Sequence, residues 1–137
     1  MANLLYNNML NSLMVGEHDF SASTLKLALL SDSYTPNAFH SFTEIMSNEI
    51  SGAGYTAGGK TLANVTLTNG EINGEHVQWT GAVFSTRWAF LYIEPNIPVI
   101  IFDLGINRTV NNDIFRIIWE ANPGTSGMIM RVQQKLI

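Results

Sequence analysis

Eight residues, Gly54-Tyr55-Thr56-Ala57-Gly58-Gly59-Lys60-Thr61, spell the phosphate-loop pattern G-x-x-x-x-G-K-[ST]. A working loop of that kind follows a buried strand and opens a helix. Its backbone N–H groups and the helix N-terminus then converge on the phosphates. The flanks here differ. Glu44 to Ala53 reads as helical or irregular, and Leu62 to Thr68 alternates as a strand, with β-branched Val65 and Thr66. Asp103 follows the apolar run VIIF, as a magnesium-holding Asp would, but in an all-β stretch. The glycines are read instead as letting the loop turn tightly against neighbouring backbone. The pattern is taken as a coincidence, and Tyr55 and Lys60 as interface candidates.

The other reactive residues form no constellation. His18, His40 and His76 lie far apart, without the spacing of zinc ligands. Glu17-His18-Asp19 resembles a metal triplet, yet neighbours on an extended chain point to alternate sides. Ser31-Asp32-Ser33 lacks the G-x-S-x-G elbow and suits a strand-to-loop turn. Glu44 and Glu49 have nothing to place them across a cleft. Trp79, Trp88 and Trp119 sit on expected strands, where packing is a better account than a sugar platform. Asp103 is the oddest residue, a carboxylate inside an apolar strand; bonds to loop amides, or pairing with Arg87 or Arg116, would explain it. No catalytic, cofactor-binding or metal-binding residue is expected, and no enzymatic activity.

The elements that must position these residues can be read from periodicity. Leu4, Leu5, Met9, Leu10, Leu13 and Met14 fall at helical spacing and predict a helix over about residues 3–15. Leu5, Met9 and Leu13 would pack on the chain's own sheet. The uncharged face holding Asn7 and Asn11 would lie against a partner, making both interface candidates. Leu25 to Leu30 alternates as a strand. Phe39 to Ile50 has room for one helical turn, with Thr43 as cap and Ile45 and Met46 inward.

From Thr61 the period is two, and Asn69-Gly70 and Asn73-Gly74 are hairpin-turn dipeptides. Val77 and Trp79 resume the alternation. The runs WAFLYI (88–93) and VIIFDL (99–104) are apolar on both faces, as in central strands. IFRIIW (114–119) and the stretch 128–132 add two more. A helix followed by six to eight short strands predicts a single mainly β domain over 1–137, an antiparallel, jelly-roll-like β-sandwich.

Composition narrows the function. Of 137 residues, 46% are apolar and 13% charged, the latter about half of the ~25% usual in soluble domains. So little charge leans toward a surface partly covered by partners. The net charge of −4 and seven scattered Lys and Arg argue against nucleic acid. Without cysteine there are no disulfides or thiol chemistry. No apolar run approaches the ~20 residues of a membrane-spanning helix. The N-terminus has no signal-peptide pattern, so synthesis in the cytoplasm is expected.

Taken in order, the segments LLYNNMLNSL, LKLALLSDSYTPN, His40, GYTAGGKTL, VQW, RWAFLYI, VIIFDLG and FRIIWEANPGTSGMIMRV cover nearly the whole chain. In that order the chain resembles a family of small structural proteins of tailed-bacteriophage virions. Members are known variously as capsid decoration (cement) proteins, tail-associated proteins or virion proteins of unassigned place. The resemblance implies a non-enzymatic virion component with no catalytic residues and no cofactor. The expectation is a capsid decoration protein, acting as a homotrimer against the major capsid protein. The alternatives are a tail or fibre-base component and a carbohydrate-binding β-sandwich, which needs exposed tryptophans.

Overall fold

The computed structural model describes residues 4–7, 24–62, 66–68, 71–73, 76–121 and 128–135. They are mainly β, antiparallel throughout, with very little helix. The elements are β1 (Leu4–Leu5), β2 (Leu25–Leu30), α1 (Phe42–Met46), β3 (Lys60–Thr61), β4 (Thr66–Thr68), β5 (Glu71–Asn73), β6 (Val77–Ile93), β7 (Ile97–Ala121) and β8 (Met128–Lys135). The main sheet runs β1-β7-β6-β2-β3, with β8 also on β7, while β4 and β5 pair by themselves. Thr68 faces Glu71 across that hairpin, and the expected turn at Asn69-Gly70 lies outside the described residues.

Where several short strands were expected, two long ones stand. β6 has 17 residues and β7 has 25. A straight strand of 25 residues would run about 80 Å, far beyond a compact chain of this size. The bends come from bulges. Thr80-Gly81 add one residue to β6, and Asn112 adds one to β7. Leu104 to Asn107 stand opposite the single residue Arg87. Gly81, Gly105 and Asn112 have φ of 56°, 92° and 53°. A left-handed residue inside a ladder turns the strand sharply while pairing continues on either side. In the sequence, these same residues read as strand ends.

Each bulge also exchanges the faces. Val77 and Trp79, then Ala82 and Phe84, then Ala89, Leu91 and Ile93 all join one core, with Leu25, Leu27 and Leu29 of β2 and Phe102, Val110, Phe115 and Ile117 of β7. Ala28, Leu30, Trp88, Phe90, Tyr92 and Ile101 form a second core on the opposite face, closed by Tyr6, Tyr34 and Ile45. The strands that are apolar on both faces are thus covered on both faces within one chain. Each fully buried Leu or Phe contributes about 1.5–3 kcal/mol.

Two local expectations are corrected. Leu4 and Leu5 pair with Ile101 and Ile100 as a strand, and the Tyr6 N–H donates to the Val99 carbonyl at 2.9 Å. The expected helix therefore does not begin at residue 3: the open edge of β7 captures this backbone first. Met9, Asn11 and Leu13 lie outside the described residues. In α1 the cap is Ser41, not Thr43. Ser41 Oγ accepts from the Glu44 N–H and Glu44 Oε1 from the Ser41 N–H, a capping box spelled S-x-x-E. Ile45 is buried and Met46 packs beside it, as expected.

Candidate functional site

The loop that carries the phosphate-binding pattern is fastened along its length to the sheet. Lys60 and Thr61 are strand residues, pairing with Leu27 and Lys26. Before the loop come α1 and a bridge between Leu30 and Glu49. The flanks are thus helix then strand, the reverse of a phosphate loop. The Gly58 N–H donates to Glu49 Oε2 at 2.7 Å, and the Gly59 N–H to the Thr56 carbonyl at 3.0 Å. Lys60 Nζ donates to the Gln78 carbonyl and stands 5.9 Å above the Trp79 ring. The Gly58 and Gly59 N–H groups and Lys60 Nζ are thus each bonded within the chain.

Tyr55 is the peg of this loop. Its ring meets Trp79 and Phe84, and its hydroxyl donates to Glu49 Oε2 while accepting from the Leu29 N–H at 3.1 Å. The outer edge of β2 is completed in this way by β3, Tyr55, and bonds to Asn48 and Ile50. A sheet edge left open invites pairing with other chains. Tyr92 donates to the Gly58 carbonyl at 2.6 Å. Burial, reinforced by Glu49, pushes the Tyr55 hydroxyl well above the usual phenol range. Burial and the charges of Glu49 and Glu94 push Tyr92 up to about 12.

Asp103 does both things expected of it. Its Oδ1 accepts from Arg87 Nε at 2.8 Å and from the Gly105 N–H at 2.9 Å, and its Oδ2 faces Arg87 Nη2 at 3.3 Å. Only 3% of its side chain is exposed. The Arg87 hydrogen bond holds its carboxyl below the usual range, against the opposing effect of burial. Arg87 also reaches Asp32 at 3.6 Å and lies over the Trp88 ring. Arg116, the other candidate partner, bonds Gln78 Oε1 instead.

The remaining candidates are dispersed. Ser31 and Ser33 bond each other across their turn. Glu44 caps α1, and the Ser41 N–H and then its hydroxyl hold its carboxyl low. Glu49 serves the loop, so the two glutamates have separate tasks. His76 is exposed, and His18 lies outside the described residues. Asn7 is half-buried, its N–H donating to the Ala38 carbonyl. Trp79 and Trp88 are buried, at 0% and 5% exposure, and offer no open platform.

One group escaped sequence reasoning: Tyr6, Tyr34 and His40 are joined in a hydrogen-bonded row. Tyr6 and Tyr34 are 28 residues apart, and no spacing rule points to such a contact. Among the described residues, no group of three or more His, Asp or Glu is placed to hold a metal, and no helix is long and apolar enough to cross a membrane. Tyr55, Glu49, Lys60, Arg87 and Asp103 all bond within the chain. No protein-family profile, curated protein or solved structure matches the chain.

Proposed function

We propose that this chain is a non-enzymatic structural protein of a bacteriophage particle, a capsid decoration protein that assembles as a homo-oligomer, a trimer. The ordered series of segments from LLYNNMLNSL to the closing FRIIWEANPGTSGMIMRV carries the reading. Two observations support adhesion over catalysis. The groups with chemical potential, Tyr55, Lys60, Asp103 and Glu49, are spent on fastening loops. Large apolar side chains stand exposed, Phe39 at 81% in a turn and Ile106 at 62% in the β7 bulge. The two-sided apolar strands do not themselves call for a partner, since both faces are covered internally.

Within this reading the bent sheet is a jelly-roll-like sandwich. Its support is that both halves of β6 line the same core. Contacts across capsomer boundaries would then oppose their separation under internal pressure. Immunogold labelling of purified particles of the phage that carries the gene is the test. Gold on heads supports decoration, and gold on tails moves the protein to the fibre base. Unlabelled particles sink the virion reading.

A further inference from the structure

Tyr6 follows β1, while Tyr34 and His40 both lie in the loop between β2 and α1, and the row they form has a direction. Tyr6 and Tyr34 oxygens are 2.9 Å apart, and Tyr34 Oη is 2.9 Å from His40 Nδ1. Tyr6 is fully buried, with its ring edge-on to Phe90, and Tyr34 is 4% exposed. His40 is half-buried and forms the outer end. Among the described residues, Tyr34 is the only hydrogen-bond partner of the Tyr6 hydroxyl.

Counting hydrogens decides what the row tolerates. A neutral imidazole with its hydrogen on Nε2 accepts at Nδ1. Tyr34 then donates to His40, and Tyr6 donates to Tyr34. Two hydrogens fill two contacts. A protonated imidazole carries a hydrogen on both nitrogens. Three hydrogens then meet two contacts, and one is left without an acceptor. If Nδ1–H takes the Tyr34 oxygen and Tyr34 turns to Tyr6, the displaced hydrogen points into the second core. Leaving a buried hydroxyl unpaired is costly.

We infer that this row is a proton-sensitive latch: proton uptake by His40 releases Tyr6 and, with it, the docking of residues 4–7 on β7. The docking on β7 is visible in the pairing of Leu4 and Leu5 with Ile101 and Ile100 and in the bond from the Tyr6 N–H to the Val99 carbonyl, while the Asn7 N–H ties the same segment to Ala38 in the loop between β2 and α1. Among the described residues, the ionisable group facing His40 besides the two tyrosines is Glu44 of α1. Arg87 stands one ring further off, over the Trp88 that meets Tyr34 edge-on.

Amide hydrogen exchange tests the latch, read as protection factors so that the intrinsic pH dependence of exchange cancels. Between about pH 8 and about pH 5, spanning the range where imidazoles titrate, protection at Tyr6 and Asn7 falls about tenfold, the expected effect of one orphaned buried hydroxyl. The amides of Phe90 and Leu91 keep their protection. His40→Gln supplies a neutral acceptor and keeps both amides protected at either pH. Tyr6→Phe removes the displaced hydrogen and abolishes the pH dependence even if His40→Gln folds poorly. Equal protection at both pH values in the wild type, or unchanged pH dependence in either variant, overturns the latch.

Discussion

Gly59 lies so close to Leu27 that a Cβ on it would stand 2.0 Å from the Leu27 carbonyl oxygen and 2.7 Å from the Ala28 Cα. Its neighbour Gly58 has only the ends of Lys26 and Tyr92 nearby, at 3.5 and 3.6 Å. Both have positive φ, 81° and 93°. Gly58→Ala should therefore cost only the left-handed strain, about 1–2 kcal/mol. Gly59→Ala adds a backbone clash and should cost upwards of about 3 kcal/mol, or prevent folding. Urea unfolding of the two variants decides; equal costs would show that close approach does not determine residue 59.

The same geometry says that the pattern GYTAGGKT serves the sheet. Titration with ATP or GTP and magnesium should show no saturable heat. Micromolar binding that disappears in Lys60→Ala would reverse this.

How much of this was legible follows from what each signal depends on. Strand identity was legible because alternation and two-sided apolar runs reflect burial directly. Asp103 was legible because a carboxylate in an apolar strand needs a partner, and Arg87 stood on a neighbouring run. Strand length was not, since Gly81, Gly105 and Asn112 are ordinary turn signals whose use as bulges depends on pairing partners far away. The start of the N-terminal segment was misread because its helical spacing competes with a free edge on β7, which only the tertiary structure supplies. The role of Tyr55 was equally hidden: its partner Glu49 is six residues away, but the Leu29 N–H it satisfies is on another element.

Tyr55→Phe removes one hydroxyl from two partners and leaves the Leu29 N–H without its acceptor. Loss of about 1–3 kcal/mol is expected. Glu49→Gln retains an oxygen for Tyr55 and Gly58, so it should cost less. A double-mutant cycle by urea unfolding should give a coupling of at least about 0.5 kcal/mol. Strict additivity would mean that the peg is not a unit.

Asp103 makes a prediction in acid. Its carboxyl is held below its ordinary value of 3.8, first by the Arg87 hydrogen bond. A depressed folded value means that the pairing contributes fully above the unfolded value and is lost as pH falls through the folded one. Stability should therefore drop below about pH 4. Asp103→Asn should be less stable near neutrality and show a shallower acid loss. Arg87→Lys, which keeps the charge without the planar fork, should sit between the two. Thermal melts from about pH 2 to about pH 7, across the carboxylate range, report all three; an unchanged acid slope in Asp103→Asn removes the assignment.

The tyrosines predict the alkaline limb. Burial raises Tyr92 to about 12, and it raises Tyr6 and Tyr55 further. The unfolded chain ionises these phenols near their ordinary value of 10.0. A raised folded value means that the native state holds the proton longer, so its contribution is complete below the unfolded value. It is lost as pH rises from about 10 through the folded values. Native protein titrated at the tyrosinate absorption band should thus show Tyr6, Tyr55 and Tyr92 silent until it unfolds, followed by a cooperative jump. Tyr92→Phe gives up the bond to the Gly58 carbonyl and should be less stable near neutrality. Its loss of stability above about pH 10 should nevertheless be smaller, because one raised phenol is gone. If all the tyrosines of the native protein titrate smoothly near 10 with the fold intact, the burial of these hydroxyls is wrong.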